Sequence, residues 1–258
     1  MSLRRLIDEY DGAERSLLLA NRSQPEQLRS MLAGMFSEQS VTVDEAAVEG
    51  VPENTVLLLD GDGNVLAQSP LSAVAESLLF TNSDAFVTGS TSLAETNLPA
   101  VITGLEGVKF RLRGYPQSHK EKLLLIAVSR HIERVAWKHG AGTHRASFQR
   151  LSRIIDEQGT QRVYRQLGES GVDTHVYGVD DGGAEDAAEL GVTVHAGESP
   201  DYRDSWFVVH RPPDADQPGE PTALALLAIQ DDDGVWDGFF TSEPDGALAV
   251  DDYVRREL

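Results

Sequence analysis

The sequence predicts an α+β fold: helices followed by a largely antiparallel sheet in the C-terminal half, with a smaller α/β N-terminal half. Three observations carry this. The first half alternates short helical and strand patterns. Residues 119–139 hold no Gly or Pro and carry one apolar stripe. After Gly171 the pattern changes to short strands separated by Asp/Gly/Pro loops. Consecutive helices followed by consecutive strands favour a sheet built mostly from antiparallel neighbours.

In chain order, Leu3 to Tyr10 reads as a short helix, and Ser16 to Ala20 is an apolar run of strand length. Gln24 to Phe36 is amphipathic, with Leu28, Met31, Leu32 and Met35 at helical spacing and Pro25 in the first turn. Val41 to Val43 and Thr55 to Leu59 read as strands. The second of these turns back through Asp60-Gly61-Asp62-Gly63-Asn64 into Val65 to Gln68, a glycine-rich hairpin. Ser72 to Leu79 reads as helix. Thr81 to Gly114 is weakly patterned, so the domain boundary is placed within it: 1–90 as an N-terminal α/β extension and 91–258 as a second unit.

The 119–139 helix has Leu125, Val128, Ile132, Val135, Ala136 and His139 on one stripe. Gly140-Ala141-Gly142 ends it. A second helix is expected from Thr143 to about 156, with Phe148, Leu151, Ile154 and Ile155 inward, and a third, short one around Val163, Tyr164 and Leu167. Five strands then follow: Val172 to Tyr177, Val192 to His195, Ser205 to His210, Thr222 to Gln230 and Val235 to Thr241. The last two flank Asp231-Asp232-Asp233-Gly234, a tight hairpin signal. Ala247 to Glu257 closes the chain as a helix.

The chain has 258 residues, 40% of them apolar, enough for a substantial core. No run reaches the roughly 18–20 apolar residues of a membrane span. The start, MSLRRLIDEY, lacks the apolar segment of a secretory signal, so a cytoplasmic protein is expected. There is no cysteine. That excludes disulfides, thiolate metal sites and thioether attachment, so any chromophore would be noncovalent.

The 42 acids against 22 bases, with only four lysines, point to a salt-in halophile and an archaeal source. Against that background, residues 109–165 hold thirteen Lys or Arg and four acids, while the other 201 residues hold nine bases and 38 acids. Such an island is either a face for an anionic ligand or acidic partner, or basic elements packed against the protein's own acids.

Motifs for chemistry are mostly absent. There is no GxxxxGK[ST], GxGxxG, HExxH or GxSxG. Asp60-Gly-Asp-Gly-Asn resembles the start of a calcium loop, but its twelfth position is Leu71. His139, His144 and His175 lack metal-ligand spacing. Alternation along Val172 to Tyr177 puts Asp173, His175 and Tyr177 on one strand face.

Several segments carry a family resemblance. They are Ser129-Arg-His-Ile132-Glu133 with Ala136-Trp137, His144 to Ser152 (HRASFQRLS), Val172-Asp-Thr-His-Val-Tyr-Gly178, Ser205-Trp206-Phe-Val-Val209, and Gly238-Phe-Phe-Thr-Ser-Glu-Pro244. In order and spacing they resemble the DICT sensory domain over roughly residues 90 to 258, with the first half similar to the extension of stand-alone haloarchaeal members. Thr174 and Arg145 stand where more apolar or smaller residues are expected. The resemblance implies a compact α+β sensory module acting in signalling, with light response among its proposed inputs. It implies no catalytic residue, metal or cofactor. With no cyclase, kinase or DNA-binding segment seen in the sequence, output is expected through a signalling partner protein.

The leading expectation is a non-catalytic sensory or regulatory module that binds a small molecule or partner. The alternative is a ligand-free interaction adaptor. A metal-assisted enzyme using His139, His144, His175 and Glu133 ranks below both. So does DNA binding by a helix-turn-helix at Gly140-Ala141-Gly142. The candidate ligand site comprises Arg130, Glu133, Trp137, His144, Gln149, His175, Tyr177 and Trp206, set between the 119–139 and 143–156 helices and the sheet.

The charge balance generates a prediction. In about 50 mM salt the Debye length is several-fold longer than in molar salt, so carboxylate repulsion is unscreened. Circular dichroism should show lost structure there and recovery in molar potassium chloride. Full folding at low salt would contradict the halophile reading.

Overall fold

The computed structural model describes residues 2–23, 26–35, 41–83, 92–95, 97–113, 120–215, 222–231 and 235–258. Their elements are α1 (Leu3–Glu9), β1 (Arg15–Ala20), α2 (Glu26–Met35), β2 (Val41–Ala46), β3 (Thr55–Asp60), β4 (Val65–Pro70), α3 (Leu71–Ser83), α4 (Ala100–Thr103), β5 (Lys109–Arg113) and α5 (Lys120–His139). There follow β6 (Thr143–Arg150), α6 (Ser152–Asp156), α7 (Gln158–Gly168), β7 (Asp173–Val179), α8 (Ala184–Ala188), β8 (Thr193–Ala196), α9 (Pro200–Arg203), β9 (Ser205–Arg211), β10 (Leu224–Gln230), β11 (Val235–Thr241) and α10 (Pro244–Glu257). The fold is α+β, as the sequence predicts.

Two sheets form. The smaller runs β2-β1-β3-β4, with β1 and β2 parallel and the other pairs antiparallel. The larger runs β5-β11-β10-β9-β6-β7-β8. Its pairs from β5 to β6 are antiparallel, whereas β6, β7 and β8 are mutually parallel. The parallel part arises because helices intervene there: α6 and α7 link β6 to β7, and α8 links β7 to β8. Parallel neighbours need such crossovers.

Strand periodicity sorts the larger sheet into two faces. Ala146, Val176, Val208, Leu226, Ala228, Trp236 and Phe240 face α5 and α7. Tyr177, Phe207, Val209, Ala225, Leu227 and Phe239 face α1, α9 and α10. Helix α1, from the start of the chain, lies on this second face beside α10, and Tyr10 stacks on Phe239 at 4.1 Å and 10°. Helix α5 packs on the larger sheet and, on its other side, against α2 and α3. Every side chain from Leu123 to Arg130 is buried, so the single stripe expected for this helix is too narrow an account. Val135 is only half-buried and His139 is exposed.

One expectation fails outright. Residues 143–150 form a strand, and only Ser152–Asp156 of the expected second helix is helical. Each flank of the segment offers a partner edge, β7 in parallel and β9 in antiparallel register, and pairing overrides the weak helical spacing of Phe148 and Leu151. Gly142, at φ +86°, turns the chain into the strand, and a Cβ there would lie 2.3 Å from the Arg211 carbonyl oxygen. The helix-turn-helix likeness ends with that helix. Strand β5 lies inside the weakly patterned segment, where its alternating Lys-Phe-Arg-Leu-Arg is short. The short helices α4, α8 and α9 carry too few turns to show periodicity. The side chains of Leu28, Met31 and Met35, and the turn Asp232-Asp233-Gly234, lie outside the described residues. Leu32 is buried, and β10 and β11 pair antiparallel.

Gly238 sits at a close approach of β11 to β10 and β5. A Cβ there would meet the Leu227 carbonyl oxygen at 2.3 Å, the Ala228 Cα at 2.8 Å and the Phe110 ring at 2.8 Å. Two of the three are backbone and cannot swing away. Gly238→Ala should therefore cost about 1–3 kcal/mol or more, as overpacked cores do. A urea melt in high salt that left the midpoint unchanged would contradict this packing.

Candidate functional site

Helix α5 carries two charges into its buried stretch. Arg130 and Glu133 are 8% and 2% exposed, and being three apart they share one face of the helix. Arg130 Nη1 donates to Glu133 Oε2 at 2.6 Å, and Nη2 donates to the Thr160 hydroxyl at 2.9 Å. Thr160 in turn donates to Glu157 Oε2 at 2.8 Å. The Tyr164 hydroxyl donates to Glu133 Oε1 at 3.0 Å. With its proton committed there, the Tyr164 oxygen can only accept, so His144 Nε2–H, 3.5 Å away, is the donor to it. One connected set thus ties α5 to α7 and to β6.

Burial sets the electrostatics. Desolvation works to lower the Arg130 pKa, but the charge and hydrogen bond of Glu133, helped by Tyr164 and Glu157, outweigh it and leave the guanidinium above its ordinary value. Desolvation pushes the Tyr164 phenol well up, and the Glu133 carboxylate adds to this. Desolvation, with a smaller effect of His175, pulls His144 down to about 3. His210 stands directly opposite His144 on β9 and is likewise pulled down to about 3, first by burial and then by His144. Both imidazoles are therefore neutral at neutral pH.

Polar atoms are left over on this face. His144 Nδ1, His210 Nε2 and the Trp236 indole nitrogen are buried without a hydrogen-bond partner among the described residues. His210 Nδ1–H donates to the Thr143 carbonyl at 3.2 Å, so its Nε2 presents a lone pair, as His144 Nδ1 does. Trp206 donates to the Ser129 hydroxyl at 3.1 Å and meets Trp236 edge-on at 6.0 Å. Trp137 is half-buried on the same helix.

The opposite face holds a second polar chain. Arg145 Nε donates to Asp251 Oδ1 at 2.9 Å and its Nη1 to the Tyr177 hydroxyl at 3.1 Å. Arg211 reaches Asp251 at 3.1 Å and Asp252 at 3.3 Å. Desolvation raises the Tyr177 pKa, with Arg145 opposing. His175 and His195 touch at 2.9 Å.

The eight sequence-expected residues thus divide. Arg130, Glu133 and His144 join through Tyr164, with Trp137 and Trp206 on the same side of the sheet. His175 and Tyr177 lie on the other side. Gln149 sits in the irregularity between Ser147 and Arg150 of the β6–β7 ladder, at φ +59°, and accepts from Arg153. Among the described residues no three His, Asp or Glu are grouped to hold a metal ion, and His139 lies against His210, 5.6 Å between ring centres.

Residues 107–218 match the DICT family model, described as a sensory domain in diguanylate cyclases and two-component system. This segment is a DICT domain. No curated protein and no solved structure gives a match to the chain. The DICT segment runs from just before β5 to just after β9, so it contains the whole Arg130–Glu133–Tyr164–His144 set. Asp251 and Trp236 lie beyond it.

Sequence reading missed Thr160, Tyr164, His195, His210 and Asp251 as parts of these sets. Alternation from His144 and from His210 would have placed both rings on one face. The link through Tyr164 needs the packing of α7 on α5, which no local pattern encodes.

The two imidazoles give the DICT domain a pH dependence. Each is neutral when folded down to about 3, while unfolded histidine titrates near 6.5. As pH falls through 6.5 the unfolded chain binds protons that the folded chain refuses, so stability falls. The slope is up to about 1.4 kcal/mol per pH unit for each group. The urea midpoint should drop between pH 6.5 and about 5, above the range where carboxylates dominate. His210→Gln should flatten that slope, and an unchanged slope would contradict the assignment.

Proposed function

We propose that this chain is a non-catalytic sensory or regulatory module. Its DICT domain takes a small molecule or a partner protein at the α5 face and passes the signal on by protein–protein contact. The observation that carries this is the buried Arg130–Glu133 pair with unpartnered nitrogens beside it. A buried ion pair is rarely the most stable filling of a core. Buried polar atoms without partners are rarer still, and each asks for a reason. A helix held over the sheet by such a set has a second arrangement within reach, in which a ligand or partner satisfies those atoms. Shifting such an equilibrium is how a sensor works.

The same geometry disfavours catalysis at this set. Glu133 is bound on both oxygens, and His144 is buried and neutral. Neither has open access to a substrate proton.

Residues 91–258 would be the sensory unit, and residues 1–90 an extension that backs α5 through α2 and α3. Among the described residues no helix is long and apolar enough to cross a membrane. The cytoplasm is the compartment we propose.

Two variants separate a site from a clamp. Glu133→Gln alone leaves Arg130 buried and unpaired, and should destabilise by about 3–5 kcal/mol. Arg130→Met with Glu133→Leu removes both charges, and should keep or raise stability. Native mass spectrometry of the chain from its own host in high salt should find a noncovalently bound small molecule or partner on the wild type. The double variant should be folded and should lack it. Retention of the bound species by the folded double variant would sink the α5-face reading.

A further inference from the structure

The other face of the DICT domain ends in a histidine pair at the sheet edge. Strand β8 is the last of the large sheet and pairs with β7. In that parallel register His195 stands opposite Tyr177, and Thr193 opposite His175. The His195 ring lies flat on the Tyr177 ring, 4.4 Å between centres and 7° between planes, which fixes its orientation. His175 Nδ1 is 2.9 Å from His195 Nε2, and His175 Nε2 is 3.0 Å from Asp173 Oδ2.

Proton positions follow from the partners. The Asp173 carboxylate, 3.0 Å away, favours the tautomer with the proton on His175 Nε2. Neutral His175 then has a lone pair at Nδ1, and His195 Nε2–H donates to it. His195 Nδ1 is left as a lone pair, with no hydrogen-bond partner among the described residues. His195 is only half-buried.

A proton arriving at His195 Nδ1 can be relayed. The Nε2 proton of His195 shifts to His175 Nδ1, and the positive charge comes to rest on the ring beside Asp173. No atom is lost or gained apart from the one proton. A second proton has no such outlet, because two N–H groups would then point at each other across the 2.9 Å contact. The groups facing His195 are Asp173, His175 and Tyr177 from β7, Arg145 from β6, and, beyond Tyr177, Tyr202 from α9. Arg145 is itself paired to Asp251 of α10. Burial, then His175, then Arg145 all disfavour charge on His195 itself, which favours passing the charge along.

We propose that Asp173, His175 and His195 form a proton-binding site at which the DICT domain registers acidification. The first proton is shared. The second forces the rings apart, loosens the short β8 from β7, and disturbs Tyr177, whose hydroxyl is held by Arg145 and through it by α10. The sensory reading enters only in this last step. The shared proton depends on the ring geometry alone.

Imidazole ¹⁵N spectra of the full chain in high salt, with amide exchange of β8 followed in parallel, test both parts. The pair should titrate in two steps separated by more than about one pH unit, both rings shifting together in the first. β8 exchange should rise at the second step. His175→Gln should turn His195 into a single-step titration, and Asp173→Asn should move the first step to lower pH. Two rings titrating independently, each indifferent to replacement of the other, would overturn the site. Two coupled steps with no change in β8 exchange would overturn the sensing of the proton.

Discussion

The burial of the middle of α5, Leu123 to Arg130, on all sides is the constraint on which the rest of the structure depends. From Leu123 to Arg130 every side chain is enclosed, because the helix lies between the larger sheet and the helices α2 and α3. An ordinary surface helix offers one apolar stripe and keeps its charges in water. This one must bring Arg130 and Glu133 inside, and each must then find partners there. Glu133 finds Arg130 and Tyr164, and Arg130 finds Glu133 and Thr160. The position of α7 follows, since Thr160 and Tyr164 are one helical turn apart on its inner face and both are buried. The ion pair therefore sets how α7 lies on α5. Apolar packing alone would leave the two helices freer to slide.

Strand β6 links this set to the other face of the sheet. His144 points toward α5 and α7, while the next residue, Arg145, points toward α10. Adjacent residues on one strand thus carry the two polar networks, and β6 sits between a parallel and an antiparallel neighbour. A displacement of β6 acts on both at once. Such coupling needs no long pathway, only a strand whose two faces are each held by directional bonds. Asp251 anchors the outer network from α10, outside the matched segment, so the DICT segment is completed by β10, β11 and α10, which supply the rest of its sheet and one of its buried carboxylates.

Much of this was legible in the sequence where one face of an element is apolar. The helix over 120–139 and the strands β7, β9, β10 and β11 follow from periodicity. Residues 143–150 do not, and the reason is physical. His144, Arg145 and Ser147 are all buried, so the strand carries buried polar side chains on both faces, and its apolar alternation is confined to Ala146 and Phe148. A polar segment whose partners are distant in sequence resembles a surface element. The site was legible to the same extent. Arg130, Glu133 and His144 stand out together in the sequence, but Tyr164, which joins them, and the separation of His175 and Tyr177 onto the opposite face depend on where α7 and β6 lie.

The basic island within residues 109–165 can now be read through its partners. Arg130 is paired to Glu133 and Arg145 to Asp251, both in the interior. Arg111, at 3.8 Å, lies between Asp231 and Asp237, and Arg153 donates to Gln149. Several of these acids come from the C-terminal strands and helix, far away in sequence and outside the island. Two bases of the island, Arg111 and Arg145, are thus matched by acids from outside it, which folding brings to them. In a chain of net charge −20, a base placed inside is best matched locally, because exposed acids are screened by water and counter-ions and give little help to a buried guanidinium. That requirement favours arginine over lysine at the buried positions, since its planar fork holds two partners at once. Arg130 and Arg145 each do so.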